Sequence, residues 1–214
     1  MKSINGYFIA QSLIHVAKKV EENKDYLCEL DGEVGDGDHG VSMTIGMRAV
    51  ARAMKGFDES VLPSEVFQAA GEAFADDVGA TIGPLYEAAF AAAATAAANK
   101  DALNNISDWA DLYEAMATSI QLLGKAELGD KTMLDSFFPA VEHIKTLSTQ
   151  GGSLSDALHS TAKTALDAAI ATKDLIPKKG RAARLGERAI GFQDAGATSL
   201  AIILQGIADG VDGA

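Results

Sequence analysis

The sequence has little of what would cross-link the chain or hold it in a membrane. Only 6% of its 214 residues are aromatic, four are prolines, and Cys28 is the single cysteine. One cysteine excludes an intrachain disulfide, which suits a reducing compartment. The most apolar run, residues 88–98, is about half the ~20 residues that a membrane span needs. The first residues also lack an apolar signal-peptide core. We therefore expect a cytoplasmic protein.

Positive charge is also scarce. The chain has 18 lysines and arginines against 30 aspartates and glutamates, giving a net charge of -12. Such a surface repels nucleic-acid phosphates and anionic lipids, so we predict neither nucleic acid nor a membrane as a partner. A phosphate-bearing ligand would have to be held locally, by metal ions, helix N-termini or single cationic side chains.

Helical periodicity runs through almost the whole sequence and predicts an all-α fold. Eight helices are expected, at about 4–27, 40–55, 64–74 (capped by Ser64), 84–99 and 107–124, a sixth opened by 129–132, and then 153–173 and 194–209. Residues 174–191 are predicted to form a long polar loop. Short loops make successive helices antiparallel. We therefore predict one domain, residues 1–214, built as an eight-helix up-down barrel or bundle. Its glycine-rich junctions would meet at one rim, which is a natural ligand site.

The strongest chemical signal is the segment 31–40. It holds three aspartates and one glutamate within eight residues, among four glycines. Two like charges ~4 Å apart repel by ~4 kcal/mol at an effective dielectric of 20. The carboxylates therefore either bind a hard cation, Mg²⁺ or Ca²⁺, or spread into solvent as a flexible acidic turn. Spacing alone leaves both alternatives open.

Two common nucleotide or metal motifs fail in this segment. Gly35, Gly37 and Gly40 fit the dinucleotide fingerprint, but the residues before them read as a helix rather than a strand. An EF-hand loop counted from Asp36 needs glycine at its sixth position, which is Val41. No P-loop pattern occurs in the chain. With a metal, however, aspartates on a glycine-rich loop before a helix would form a platform for metal and phosphate.

Several further motifs share the order and spacing of one known family. They are Leu30-Asp31, Glu33, Gly35-Asp36 and Asp38-His39-Gly40; Gly83-Pro84-Leu85; Gly124-Lys125-Ala126-Glu127 and Gly129-Asp130-Lys131-Thr132-Met133; Lys179-Gly180-Arg181-Ala182 and Leu185-Gly186-Glu187-Arg188; and Gln193-Asp194 with Gly196-Ala197-Thr198-Ser199. Over nearly its whole length, the chain resembles the nucleotide-binding L subunit of bacterial dihydroxyacetone kinases. The sequence departs from the family at Ser42, Ile82 and Ala195, where asparagine, serine and proline are usual.

The resemblance implies an eight-helix antiparallel barrel with ADP or ATP at one rim. It implies two Mg²⁺ ions held by Asp31, Asp36 and Asp38. The nucleotide contacts that carry over are His39, Gly40, Val41, Ser42, Thr81, Ile82, Gly124, Met133, Arg181, Asp194, Ala195 and Gly196. A separate K subunit would bind the hydroxyketone. An M subunit would rephosphorylate bound ADP in phosphoenolpyruvate-dependent systems, and some L subunits contact a transcriptional activator.

We therefore interpret the chain as the phosphoryl-donating subunit of a kinase, inactive alone, in which Arg181 offsets developing charge as the catalytic residue. For the basic cluster around Arg181, pairing with surface carboxylates is the alternative. For Met133, core packing is the alternative to a wall for the purine. Other functions left open are the same machinery acting on an erythrulose-like ketotetrose, use of free ATP, a nucleotide-sensing interaction module and, least favoured, a metal-dependent phosphatase.

Overall fold

Helices make up most of residues 3–212, the part of the chain that the computed structural model describes. They are α1 (Gly6–Glu22), α2 (Lys24–Val34), α3 (His39–Met54), α4 (Pro63–Asp77), α5 (Ile82–Ala96), α6 (Ile106–Gly124), α7 (Leu134–Gln150), α8 (Leu154–Ala171) and α9 (Ala195–Asp212). Across these residues the β pairing amounts to one isolated bridge, between Asn5 and Ala102. The predicted all-α class is confirmed.

The described residues form nine α-helices, one more than the eight that the sequence predicts. The helix predicted at 4–27 is two helices, α1 and α2, which separate at Asn23. The Asn23 side chain donates to the carbonyl of Lys19 at 2.8 Å. An asparagine side chain that bonds a nearby backbone carbonyl in this way competes with the backbone hydrogen bonds that would continue the helix. Because α2 then runs on to Val34, Asp31 lies in its last turn and not in a loop.

Eight of these helices close into a ring. Each of α3 to α8 packs on the next helix in the chain, and α9 packs on both α8 and α1, which also contacts α3. The short helix α2 lies beside the ring, against α3 and α9. Small residues let the closing helices approach closely: a Cβ at Gly206 of α9 would lie 2.9 Å from Val16 of α1. The alanine-rich composition thus serves close helix packing.

Helix starts are fixed by side chains that satisfy free backbone N–H groups. The Asn5 side chain accepts the N–H of Phe8 at 3.0 Å at the start of α1. Helix α4 begins at Pro63, so the predicted cap Ser64 lies within the helix. The Glu65 carboxylate instead accepts the N–H of Leu62 at 2.8 Å. Within the described residues, each helix is too short or too polar to cross a membrane.

The long polar segment before α9 is more ordered than its sequence indicated. It contains three short 3₁₀ helices, Thr172–Asp174, Ala182–Arg184 and Gly186–Ala189. Its two ends are joined where the N–H of Gly191 donates to the carbonyl of Lys173 at 2.8 Å. Residues 174–190 therefore form a closed loop, here named the cover loop.

The crossing of α3 and α4 yields the first prediction. A Cβ at Gly46 would lie 2.4 Å from the buried ring of Phe74, which is itself stacked on Tyr86. Overpacking of this kind costs about 1–3 kcal/mol, and alanine returns about 1 kcal/mol of helix propensity. We expect Gly46→Ala to lower the melting temperature by about 2–6 °C for a chain of this size, as measured by calorimetry.

Gly56→Ala is the matched control. Gly56 follows α3, and its added Cβ would meet only the carbonyl of Ala53, at 3.5 Å. This variant should melt within about 1–2 °C of the parent protein. If Gly46→Ala were as stable as Gly56→Ala, the Phe74 ring would be free to move and the close crossing would not constrain the fold.

Candidate active site

A cavity of about 480 Å³ opens at one end of the ring. Residues at the starts of α3, α5, α7 and α9 line it: His39, Ile82, Leu134 and Ala195. The last turns of α2 and α6 reach it from the other direction. Its volume lies within the range of about 300–1,000 Å³ that is usual for small-molecule sites. We call this end of the ring the rim.

The rim combines four helix N-termini because alternate helices of an up-down ring point the same way. The first N–H groups of a helix have no partner within the helix, and the aligned peptide dipoles place about half a positive charge there. Four such ends around one cavity favour an anionic ligand, even in a chain with a net charge of -12. This is the local attraction that the acidic composition required.

The acidic triad, Asp31, Asp36 and Asp38, lies at one side of the cavity. One carboxylate oxygen from each residue lies within 4.8 Å of the others. Asp31 also orders the loop between α2 and α3, because its Oδ2 accepts the N–H groups of Asp38 at 3.0 Å and His39 at 3.3 Å. A Cβ at Gly35 would lie 2.4 Å from Asp31 Oδ1, so this tight turn needs glycine.

The donor set of the triad fits a hard divalent cation. Three carboxylates supply only oxygen ligands, and Mg²⁺ takes one or two carboxylates and completes its shell with water and phosphate oxygens. Three negative charges so close together also demand a counter-charge. The Arg181 guanidinium supplies part of it, contacting the Asp36 carboxylate and lying 3.7 Å from Asp38. Arg181 thus lies at the triad and at the cavity.

His39 begins α3 as a buried side chain that still reaches the cavity. Its Nε2 lies 2.9 Å from Ser199 Oγ, and this hydroxyl donates to the carbonyl of Gly196 at 3.0 Å. Burial lowers the pKa of His39, although the nearby Asp31 carboxylate acts in the opposite direction. The ring is therefore held against α9 and disfavours a positive charge.

Asp194 caps α9 at the far side of the cavity. Its Oδ2 accepts the N–H of Ala197 at 2.7 Å, and its own N–H donates to Thr172 Oγ1 at 2.9 Å. Loss of hydration raises the pKa of Asp194 to about 6; the hydrogen bond from Ala197 opposes this rise and the Asp135 charge adds to it. A carboxylate at this position is therefore costly at neutral pH.

The other side of the cavity is apolar. Its walls come from residues of α5, α6 and the start of α7: Leu85, Ile120, Ala126, Met133 and Leu134. Met133 is 8% exposed and also belongs to the hydrophobic core. The two interpretations of Met133 from sequence, cavity wall and core residue, therefore hold together. The cavity suits a ligand with one apolar, flat part and one strongly anionic part.

Most of the predicted site residues line this one cavity. They are Asp31, Asp36, Asp38, His39, Ser42, Thr81, Ile82, Gly124, Met133, Arg181, Asp194, Ala195 and Gly196. Gly40 and Val41 are not among the lining residues, although His39 and Ser42 on either side of them are, and their contacts with a nucleotide stay predictions. A Cβ at Gly40 would lie 2.0 Å from the carbonyl of Lys24, so Gly40 lets α2 and α3 touch. Val41 is 40% exposed.

Two polar lining residues had no predicted site role, Lys131 and Thr132. Lys131 is the notable omission, since it is a lysine with 3% exposure. The motif around it was visible in the sequence. The burial of Lys131 could not be read from the sequence, because it depends on how the cover loop packs over the residues that precede α7.

Asp194 gives a pH-dependent prediction. A folded-state pKa of about 6 against an ordinary 3.8 means that folding favours the protonated form. Its contribution to stability is then present at low pH and lost as the pH rises through about 6. Asparagine keeps an oxygen for the Ala197 N–H and carries no charge. We expect Asp194→Asn to raise the melting temperature more at pH 8 than at pH 5. An equal change at both pH values would contradict this.

Comparison with known proteins agrees with the site. A model of the DAK2 domain matches residues 33–209. The chain is 35% identical over 206 residues to the ADP-binding subunit DhaL of PEP-dependent dihydroxyacetone kinase 2 from Listeria innocua, covering 92% of this chain and 90% of that protein. It is 36% identical over 205 residues to D-erythrulose kinase from Mycolicibacterium smegmatis, covering 94% of this chain and 35% of that protein.

The fold also matches a solved structure. The dihydroxyacetone kinase of C. freundii, in complex with AMP-PNP and Mg²⁺, superposes with a TM-score of 0.69 at 23% identity. The match covers 98% of this chain and 35% of that one. The chain therefore belongs to the DAK2-domain family, which includes the ADP-binding subunits of dihydroxyacetone kinases.

Proposed function

We propose that this chain is the nucleotide- and Mg²⁺-binding subunit of a dihydroxyacetone-type kinase, which donates a phosphoryl group to a small hydroxyketone held by a separate K-type subunit. One observation carries the proposal: the acidic triad, the N-termini of α3 and α9 and Arg181 line the same cavity as the apolar residues of α5, α6 and the start of α7. ADP has this division, with a flat base at one end and a polyphosphate at the other.

In this proposal the triad holds two Mg²⁺ ions, which when bound would neutralise the phosphate oxygens. Asp31 also fixes the loop, through its bonds from the N–H groups of Asp38 and His39. The triad is thereby held in place before the ligand arrives, which lowers the ordering cost of binding. Residues 1–214 would act together as a single nucleotide-binding domain.

The nucleotide lies across the rim. Its base packs against Met133, Leu85 and Ile120, and its phosphates approach the N-termini of α3 and α9. Ile82 occupies the position at which serine is usual in the family. The ligand would therefore meet an apolar side chain next to Thr81. Of the predicted nucleotide contacts, the proposal keeps those that line the cavity. Gly40 and Val41, in the first turn of α3 beside His39, also stay predicted contacts of the phosphates.

Arg181 is the proposed catalytic residue. Its side chain is largely exposed and reaches the triad from the cover loop. A guanidinium offers several fixed N–H donors and matches the geometry of a phosphoryl group in transfer. Because transfer needs positioning and charge neutralisation more than covalent chemistry, a cation beside the metal site is sufficient for this role.

The proposal assigns the acceptor to a partner. The name "ADP-binding subunit" of the Listeria relative implies other subunits in its complex, and "PEP-dependent" implies a phosphocarrier as donor. We propose that a K-type subunit docks at the rim and that an M-type subunit rephosphorylates bound ADP, in the cytoplasm. Free ATP as donor and contact with a transcriptional activator are the alternatives.

A second candidate substrate has specific support. D-erythrulose kinase is as similar to this chain as the DhaL subunits are, at 36% identity. In that relative, the match covers about a third of the protein, so its acceptor site can lie in the remainder. An erythrulose-type acceptor would leave the proposed roles of the triad and of Arg181 unchanged. Parallel assays with dihydroxyacetone and erythrulose, with the K-type partner present, decide between them.

The metal bridge is tested by binding. We expect Mg²⁺ with ADP to stabilise the protein by about 2.7 kcal/mol at a concentration 100 times the dissociation constant, and ADP with EDTA to have little effect. Asp38→Asn removes a ligand charge and should abolish this stabilisation without loss of helicity. Calorimetric titration and thermal melting measure both quantities.

Glu33→Gln is the matched control for the triad variant. Glu33 is an exposed acidic residue of the same segment and lies outside the triad. It makes the same change of charge and should leave Mg-ADP binding unaltered. Equal loss in both variants would show that the total charge of the segment matters and not the triad. Unchanged ADP affinity in EDTA would exclude the metal bridge.

The division of labour gives the next prediction. Alone, the protein should bind nucleotide but phosphorylate no hydroxyketone. With a K-type subunit and either phosphocarrier components or ATP, it should turn over. Arg181→Ala should lower turnover more than it lowers assembly, because its charge acts mainly in the transition state. Product formation and pull-down assays measure the two effects. Robust phosphorylation of dihydroxyacetone by the isolated chain would disprove the split site.

A further inference from the structure

The cover loop, residues 174–190, carries Arg181 to the site but holds it loosely at its tip. Lys179, Gly180 and Arg181 line the cavity from this loop, and the side chains of Lys179 and Arg181 are exposed. Gly180 has a φ of +65° with open space around it. Local packing at the tip is therefore slight. The position of the guanidinium depends on how the base of the loop is fixed.

Two consecutive residues at the start of α7 fix that base. The buried Lys131 Nζ donates to the carbonyl of Leu175 at 3.1 Å and to the carbonyl of Ala189 at 2.7 Å. Its neighbour Asp130 accepts the backbone N–H of Lys178 at 3.0 Å and the Lys178 Nζ at 3.1 Å. Leu175 and Ala189 lie on opposite sides of Arg181 in the sequence. One ammonium group thus joins both arms of the loop.

Lys131 occupies this position at a cost. It is 3% exposed, and its φ of +60° lies in the left-handed region that residues with a side chain disfavour. Burial also lowers its pKa, although the charges of Asp194 and Asp174 act in the opposite direction. A buried charge on a strained backbone is kept where the surroundings impose it, and such residues concentrate at functional sites. A methionine would fill the same space without the cost of burying a charge, although the strain of the backbone would remain.

We infer that Lys131 is a positioning residue, whose ammonium group joins the two arms of the cover loop and so sets the Arg181 guanidinium at the acidic triad. The inference rests on the proposed function only for the role of Arg181. The anchoring itself is a property of the chain. Lys131 acts here through the loop, since two of its three N–H groups are used by loop carbonyls.

The anchoring is tested without any ligand. Lys131→Met keeps the apolar stem and removes the donors. Lys173→Met is the control, since Lys173 is an exposed lysine of the same region whose side chain has no ion pair among the described residues. We expect amide exchange across residues 178–190 to be about tenfold faster in Lys131→Met and unchanged in Lys173→Met. Trypsin should cut after Lys178, Lys179 and Arg181 faster in the first variant only.

The positioning is tested by a double-mutant cycle on turnover with the partner subunit. Mg-ADP affinity, measured in parallel, should change less than turnover, because the charge of Arg181 acts mainly in the transition state. Removing a supporting group of a metal site commonly costs about 10–100-fold, so we expect a loss of at least about tenfold from Lys131→Met. In an Arg181→Ala background, Lys131→Met should cost nothing further, because its effect passes through Arg181. Lys131→Arg, which keeps charge and donors, should recover part of the loss.

The outcomes separate the two ideas. Unchanged exchange in Lys131→Met would overturn the anchoring, whatever the protein binds. Full additivity with Arg181→Ala would overturn the positioning role, even if the loop loosens. Failure of the parent protein to bind Mg-ADP would reject the proposed function and leave the exchange result standing. If Lys131→Met does not fold, Lys131→Gln repeats the cycle with a shorter donor that is expected to bond only one arm.

Discussion

The direction of the helices in the ring is the constraint on which the site depends. Because α3, α5, α7 and α9 run the same way, their N-termini meet at one rim, and the loops before them meet there too. A protein with a net charge of -12 thereby gains a local positive potential without a basic surface. Ring closure through the contact of α9 with α1 is what places Asp194 and Gly196 opposite Asp31 and His39.

The rim combines negative carboxylates with positively polarised helix N-termini and a guanidinium group. The acidic triad gathers negative charge where the helix N-termini attract anions, so a metal ion is the natural mediator between the two. Arg181 contributes positive charge at the triad itself, from a loop and not from a helix. A phosphate chain bound beside the triad would face both the metal ions held there and this guanidinium. This arrangement explains how so acidic a chain can serve a polyanionic ligand.

The site also contains residues in energetically unfavourable states, which the hydrophobic core does not. Lys131 is a buried cation with a left-handed backbone, and Asp194 is a carboxylate with its pKa raised to about 6. Both are fixed by several hydrogen bonds from different elements. The surrounding helices, by contrast, are packed through alanine, glycine and buried aliphatic side chains. The stable ring thus holds residues that would be unfavourable in isolation.

The sequence by itself determined the helical class, the glycine-rich junctions and the clustering of Asp31, Asp36 and Asp38, because each of these follows from local spacing. It also indicated that alternate junctions would share one end. It did not reveal the break at Asn23, since a side-chain bond to Lys19 ends a helix whose apolar pattern continues. It also gave no site role to Lys131, and it did not show that the absence of a side chain at Gly40 lets α2 and α3 touch. The break at Asn23 is local, whereas the burial of Lys131 and the contact at Gly40 depend on residues farther apart in the chain, which only the tertiary structure brings together.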